Sequence, residues 1–571
     1  MNNVWQVKTG GKRSFSSVEH IKSILLQQRG VTSDAEAGFF EPRYSTGIHD
    51  PYLLKGMQLA VDRIYEAIAK DEHILVYGDY DVDGVSSTAV MVSVLQDLGA
   101  KVVPFIPHRS DNGYGLDKQV LKTLINNFDL LITVDCGVSN FDEIEWLNKK
   151  GKETIITDHH VLPKILPEAV AVLHTCHPEG DYPFKYLCGV AMSWKLATAL
   201  LRDKRCGLEN TEERIKEMID LVCLGTIADM VPLIGENRII VKYGLRMLAQ
   251  SRRKGVQVMV NSLGAGARID TESVSFKMGP LINAAGRIDH AQPALDLLLE
   301  DDNDEAMNHL SLLRKLNNKR RKVGLAIQSE AEEISGEGSG PVIFAANPSW
   351  PVGVVGLVAG RLCDRFGKPA LVVGGANGKA VGSARAPKGV SVLKLIEGAS
   401  DHLIRFGGHE RAAGFTLEED QINNFAAALV TTAKKQHISE NVVNVERADL
   451  VMNQELVNWD LVETISQMEP FGQGNEQPKF VFQGVYLGDW RKVGKTGEHI
   501  KMSFNMNEEL VDGIGFGLAK SVEEKGIQPK DVVDLLGNIE INEYNGRRTL
   551  QVKVIDVQKA GEVSITEENN N

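Results

Sequence analysis

The chain has 571 residues, 43% of them hydrophobic and 24% charged, enough for several globular domains, and no apolar run approaches the roughly 18 to 20 residues of a membrane span. A net charge of −13 argues against a protein that coats nucleic acid by bulk electrostatics, although grouped cations at 252–254, 319–322 and 545–548 leave room for a local basic groove. Six scattered cysteines without a C-x-x-C pair argue against a disulfide frame or zinc ribbon, and the opening MNNVWQVKTGGKRSF has no hydrophobic signal core, so a cytoplasmic protein without membrane contact is expected.

The first 45 residues carry little pattern. The first informative stretch is ILVYGDYDVDGVSS (74–87), a strand-like run from Ile74 to Tyr77 followed by Asp79, Asp81, Asp83 and Gly84. A calcium loop of the EF-hand kind needs a bidentate acid at its twelfth position, which here is Val90. A phosphoaspartate phosphatase beginning at DVDGV needs a later Gly-Asp-x-x-x-Asp, and neither Gly180-Asp181 nor Gly488-Asp489 continues that way. A two-metal centre remains. On an extended backbone, alternate residues share one face at roughly 7 Å per step, so the three acids could line a site for two ions about 3.5 to 4 Å apart, given further ligands elsewhere.

Those ligands come later in the chain. The segment 84–99 has helical spacing, whereas KVVPFI (101–106), DLLITVD (129–135) and ETIITD (153–158) are short and β-branched, the alternation of a mainly parallel α/β sheet. Such sheets gather ligands at the carboxyl ends of their strands. Asp135 and the triplet Asp158-His159-His160 fall there, and the apolar element LVCLGTIADMVPL (221–233) delivers Asp229. Carboxylates suit Mg²⁺ or Mn²⁺, and an imidazole tips the set toward Mn²⁺. The cluster HTCH (174–177) reads as a polar loop, since no partner pair follows at zinc-finger spacing.

Residues 294–335 read as helical, with Asp302 or Asn303 capping the long segment, and GEGSG (336–340) ends them before strands and helices alternate again. Beyond EPFGQGNEQP, short strands with a hairpin signal at Asn545-Gly546 point to a small oligonucleotide-binding barrel. Trp490, Phe504, Phe516 and Tyr544, near Arg491, Lys492, Arg547 and Arg548, are its candidate stacking residues and cations.

DYDVDG, TVDCG, TDHH and GTIADMVPL resemble the four ordered motifs of the DHH phosphoesterase superfamily, and RFGGHERAAGF (405–415) resembles the motif of its DHH-associated domain. Within that superfamily, order and length resemble the RecJ family of single-strand-specific 5′-to-3′ DNA exonucleases, as do IPHRSDNGYGL (106–116), PLINAAGRID (280–289), GSARAPKG (382–389) and EPFGQGNEQPKF (469–480). Ala386, where the family often carries serine, is a departure. The resemblance spans about 45 to 560 and implies an α/β protein: a DHH domain with a mainly parallel sheet at 46–293, a connecting helix at 294–335, a DHH-associated (DHHA1) domain at 336–435 and an OB-like barrel at 436–560. An amino-terminal segment 1–45 precedes these, and by its acidic, polar composition the end ITEENNN reads as part of a disordered tail 561–571.

It implies two ions, Mn²⁺ or Mg²⁺, with Asp135 bridging, Asp79 and Asp81 on one, and Asp83, His159 and Asp229 on the other. His160 would reach the scissile phosphate, Arg109, Arg287, Ser383 and Arg385 a 5′ phosphate, and His409, beside Gly407 and Gly408, the nucleotide. The implied partner is single-stranded DNA with a 5′ end, in repair and recombination, with a single-strand-binding protein or helicase docking on a monomer. The alternatives are a superfamily relative acting on short RNA or a small phosphorylated compound, and a non-catalytic single-strand-binding scaffold. The barrel argues against the former and the intact ligand set against the latter.

Overall fold

The computed structural model describes residues 4–8, 15–109, 113–264, 266–376, 378–438, 445–506, 509–544 and 547–568. The chain divides into two compact units: Tyr44–Val442, and a second built from both ends, Met1–Arg43 with Val443–Asn571.

In the Tyr44–Val442 unit a five-stranded sheet, parallel throughout, runs in the order Lys101–Phe105, His73–Tyr77, Leu130–Val134, Glu153–Thr157 and Ala171–Leu173. Side chains on a strand alternate between faces. Ile74, Val76, Ile132 and Val134 enter one hydrophobic core, while Leu75, Tyr77 and Leu131 enter another on the opposite face. Burial on both sides is why these strands read as unbroken apolar runs. The second strand in sequence flanks the first on one side and the third flanks it on the other, so a crevice opens between the carboxyl ends of His73–Tyr77 and Leu130–Val134.

Two expectations are corrected here. The strand ends at Tyr77 and a helix, Val82–Asp97, starts between Asp81 and Asp83, so the three aspartates do not share one extended face. Asp229 caps the carboxyl end of a helix, Ile219–Ala228, and does not end a strand. Apolar residues of Val82–Asp97 and Ile219–Ala228 pack together in the larger core. Elsewhere in this core the buried Lys195 donates from Nζ to Glu236 Oε2 (2.9 Å) and to the His49 carbonyl (2.7 Å), and Tyr182 donates to both Glu236 oxygens (2.7 and 3.1 Å).

The expected connecting helix is broken into Gln292–Leu299 and Asn303–Ile334, the longer one capped by Asp302, whose Oδ1 accepts from Asp304 and Glu305 N–H. A second sheet follows in the order Arg405–His409, Ala412–Leu417, Lys379–Arg385, Ala370–Ala376 and Ile343–Pro351, antiparallel except for the last pair. Helix Val352–Phe366 packs on it.

The other unit is a closed barrel: Phe480–Val493 pairs with His499–Met506, which pairs with Glu509–Gly515, then Arg547–Lys559, then Val532–Tyr544, which returns to Phe480–Val493. The Asn545-Gly546 hairpin lies outside the described residues, but the strands on either side of it pair antiparallel. The amino-terminal segment, which carries little pattern in sequence, supplies Val18, Ile21 and Leu25 of helix Val18–Gln27 to the barrel's core cluster. One reading changes. Ser564–Glu567, within the supposed disordered tail, is a strand pairing with Val4–Val7, which also pairs with Val445–Ala448, all in parallel. Trp5 anchors this small sheet by donating from Nε1 to Asp556 Oδ2 (3.1 Å).

Candidate metal centre and phosphate-binding site

The crevice is lined by acids that the backbone itself places. Asp79 follows the strand by two residues and is 5% exposed. A side chain at Gly84 would strike the Asp79 backbone, so glycine is what lets the new helix start so close to the strand end. Asp81 caps that helix, its Oδ1 accepting from the N–H groups of Asp83 (2.9 Å) and Gly84 (3.1 Å). Asp83, inside the first turn, points into the core, where its two oxygens accept from the N–H groups of Gly189 (2.6 Å) and Val190 (2.8 Å). These are the first residues of helix Gly189–Arg202, a terminus that favours negative charge. A Cβ at Gly189 would collide with the Asp135 carboxylate, so the same residue admits both acids.

Asp135 ends the central strand in a left-handed backbone conformation (φ +61°), an uncommon one for a residue with a side chain and one that clusters at functional sites. His159 Nε2 lies 3.1 Å from Asp135 Oδ1, 3.7 Å from Asp83 Oδ2 and 3.8 Å from Asp229 Oδ2. Behind it, the fully buried Asp158 ties down the loop: Oδ1 accepts from the N–H groups of His159 (2.7 Å) and His160 (3.0 Å) and faces His160 Nδ1 (2.8 Å), while Oδ2 accepts from Val138 N–H (3.0 Å). Tyr114 Oη also lies 2.8 Å from His160 Nδ1.

Electrostatics separate this cluster from ordinary buried polar groups. Burial first, then repulsion from neighbouring carboxylates, raises the pKa of Asp79 and Asp135, and lifts Asp83 to about 6 and Asp229 to about 8. Burial, then the charge of His160, lowers His159 to about 3, so its imidazole is neutral. Burial opposes charge on His160 too, but the bond and attraction to Asp158 outweigh it and raise its pKa to about 9. Asp79 Oδ1, Asp135 Oδ1 and His159 Nε2 are all buried without a hydrogen-bond partner. Such groups are costly unless something else satisfies them. Ligand atoms of Asp79, Asp81 and Asp135 fall within 4.8 Å of one another, as do those of Asp83, His159 and Asp229, and those of Asp135, His159 and His160. Carboxylate oxygens with one neutral imidazole are the donor set of a hard divalent cation such as Mg²⁺ or Mn²⁺, and the orphaned atoms fit that group.

A cationic cluster adjoins the acids. Burial, then repulsion from Arg109 and Arg320, lowers the pKa of Arg287 to about 9, with Asp81 opposing the shift; burial, then Arg109, lowers that of Arg385. The Arg109 guanidinium stacks over the Tyr80 ring at 4.8 Å, Arg287 Nη1 donates to the Gly353 carbonyl (3.4 Å), and Arg385 Nη1 donates to Ser383 Oγ (3.0 Å). Arg109, Arg287, Ser383 and Arg385 are thus brought together. His409 is not drawn into the ligand set; it ends an exposed strand, with Nδ1 accepting from Arg411 N–H. Sequence reasoning gave no role to Asp158, Tyr114 or the Gly189–Val190 amides. Asp158 was legible as a strand-end acid, whereas the amides left no signal, because backbone donors have no residue type.

Three family models match: the DHH family N-terminal domain over 73–226, the DHHA1 domain over 339–435 and the RecJ OB domain over 448–556. The single-stranded-DNA-specific exonuclease RecJ of Bacillus subtilis is 36% identical over 553 residues, spanning 95% of this chain and 69% of that protein. The chain belongs to the RecJ family. Two RecJ structures from Thermus thermophilus cover 99% of the chain: one in complex with Mn²⁺ (TM-score 0.82, 28% identity, 80% of that chain) and one with Mg²⁺ (TM-score 0.76, 27% identity, 79% of that chain). The DHH match takes in Asp79 to His160, with Arg109, and the DHHA1 match takes in Ser383, Arg385 and His409, so members of the arginine cluster come from both matched regions.

Proposed function

We propose that the protein hydrolyses phosphodiester bonds of single-stranded DNA from the 5′ end, using two divalent ions. The observation that carries this reading is the set of orphaned, buried atoms on Asp79, Asp135 and His159, beside an arginine cluster short of counter-charge. Asp79, Asp81 and Asp135 would hold one ion and Asp83, His159 and Asp229 the other, with Asp135 shared between them. Bound there, Mn²⁺ or Mg²⁺ would activate a water and neutralise charge building on the phosphate under attack.

The remaining work falls to the chain. Asp158 keeps a proton on His160 Nδ1, so the charged ring offers its Nε2–H to an oxygen of the scissile phosphate. Arg109, Arg287 and Arg385, with Ser383, take the terminal 5′ phosphate, for which guanidinium forks are suited. Cleavage is thereby counted from a strand end. The exposed hairpin of Gly407, Gly408 and His409 would contact the terminal nucleotide. In the barrel unit the half-exposed Phe516, with Lys553 Nζ 5.8 Å from its ring centroid, offers a stacking surface for single-strand bases. The protein would act as a cytoplasmic monomer on strands exposed by a helicase or carried by a single-strand-binding protein.

The test is end-labelled single-stranded DNA, duplex DNA and short RNA incubated with Mn²⁺ or Mg²⁺, comparing wild type with Asp135→Ala. The expected products are 5′ mononucleotides from the single strand alone, with near-complete loss in the variant. Equal digestion of the duplex would overturn the substrate, and activity surviving in Asp135→Ala would overturn the ligand assignment.

A further inference from the structure

The HTCH cluster lies outside the ligand set, yet its first histidine is not a loose loop residue. His174 is 4% exposed and joins two segments that carry the site. Its Nδ1 accepts from the Cys176 N–H (2.9 Å), which requires that nitrogen to be unprotonated. The proton therefore sits on Nε2, which lies 2.9 Å from the carbonyl oxygen of His160 and donates to it. The loop that begins at His174 continues through Thr175, whose Oγ1 donates to the Lys185 carbonyl (3.1 Å) and whose own carbonyl accepts from Lys185 Nζ (3.0 Å). It ends at Cys188, just before the amides of Gly189 and Val190 that hold Asp83.

We infer that His174 is a positioning residue: in its Nε2–H tautomer it fixes the His160 carbonyl and so sets the orientation of the His159-His160 pair. The inference rests on the functional reading above for what that pair does. Asp158 restrains the pair from one side through its N–H groups and one ring nitrogen, but leaves the His160 carbonyl free to turn. His174 restrains that remaining group. Polar groups of this kind, one layer behind the ligands, change activity by about 10- to 100-fold when removed. His174 would thus act on the rate of reaction in the bound complex without touching the substrate.

Three variants and one spectrum test this. His174→Phe keeps the ring volume and removes both hydrogen bonds; its kcat on single-stranded DNA should fall about 10- to 100-fold, with KM nearly unchanged. His174→Gln, whose side-chain amide nitrogen can reach the Nε2 position, should recover most of the loss. His174→Ala should be no better than His174→Phe. Long-range ¹H–¹⁵N NMR of the wild-type imidazoles, recorded without DNA, should show the His174 ring protonated at Nε2 only. A ring protonated at Nδ1, a folded His174→Phe with wild-type kcat, or a folded His174→Gln as slow as His174→Phe would each overturn the inference. Should His174→Phe fail to fold, His174→Gln and the ring spectrum decide. A wild-type protein inert toward single-stranded DNA would remove the functional reading and leave the tautomer to be judged by the spectrum alone.

Discussion

Two buried charged clusters in the same unit have opposite logic. Around Glu236, Lys195 supplies a counter-charge and Tyr182 two hydrogen bonds, so each buried group has a partner. Around Asp135, acids face other acids, and buried oxygens and an imidazole nitrogen are left unpaired. The first arrangement holds a fold together, because removing either partner strands a charge in the core. The second lowers the stability of the metal-free protein and makes sense only as a receptacle for cations. Completeness of pairing therefore distinguishes a structural site from a functional one better than burial does.

The sharpest way to break this comparison is Asp135→Asn. Hydrolysis should fall by about 10³-fold or more, since several kcal/mol of charge stabilisation is lost, while the metal-free variant melts above wild type in calorimetry because one repelling charge is gone. A lower melting temperature would place Asp135 with the structural cluster. Lys195→Met should do the reverse: urea denaturation should report a loss of about 3 to 5 kcal/mol, and adding Glu236→Leu should restore much of it. Retention of full stability by the single variant would show that Glu236 does not depend on its partner.

Proton linkage gives a smaller effect with a definite sign. A carboxyl whose pKa is raised by folding holds its proton more tightly in the native state, so it favours the fold at low pH. That contribution is lost as pH rises from the unfolded value, about 3.9, through the folded values of about 6 for Asp83 and about 8 for Asp229. Divalent ions replace those protons. The rise in melting temperature on adding Mn²⁺ should therefore be greater near pH 8 than near pH 6, and a constant rise would argue against carboxylate ligands. The smallest effect belongs to the barrel, where Phe516→Ala should weaken single-strand binding by about 1 kcal/mol in fluorescence anisotropy without altering the melting temperature.

The sequence was most legible where one residue type did one job along a short stretch. The strand runs ending near Asp79, Asp135 and Asp158 follow from local periodicity, and Asp302 is one of two cap candidates by residue type, whereas the order of domains comes from the resemblance of separate motifs to one family. It was least legible where a position depends on what arrives from elsewhere. The alternation of Asp79, Asp81 and Asp83 has a strand's period, yet the chain turns into a helix because Gly84 permits a close approach and distant amides at Gly189 and Val190 receive Asp83. Phe504, a candidate for base stacking, is wholly buried in the barrel core, and Trp490 is partly buried with its indole N–H donating to the Ile527 carbonyl; the side chain of Tyr544 lies outside the described residues. Aromatic residues in a small barrel serve core and surface equally well, and only the register of the strand decides which.

The short sheet that joins Val4–Val7 to Ser564–Glu567 constrains how the polypeptide is made. Its central member leaves the ribosome long before its last one, so the sheet cannot close until Ser564–Glu567 has been synthesised. The Tyr44–Val442 unit lies wholly between those strands and has all of its own sheet members available earlier. During translation the acidic crevice can thus assemble while the other unit still waits for its last strand, and deleting Ser564–Glu567 would leave an open edge beside Val4–Val7.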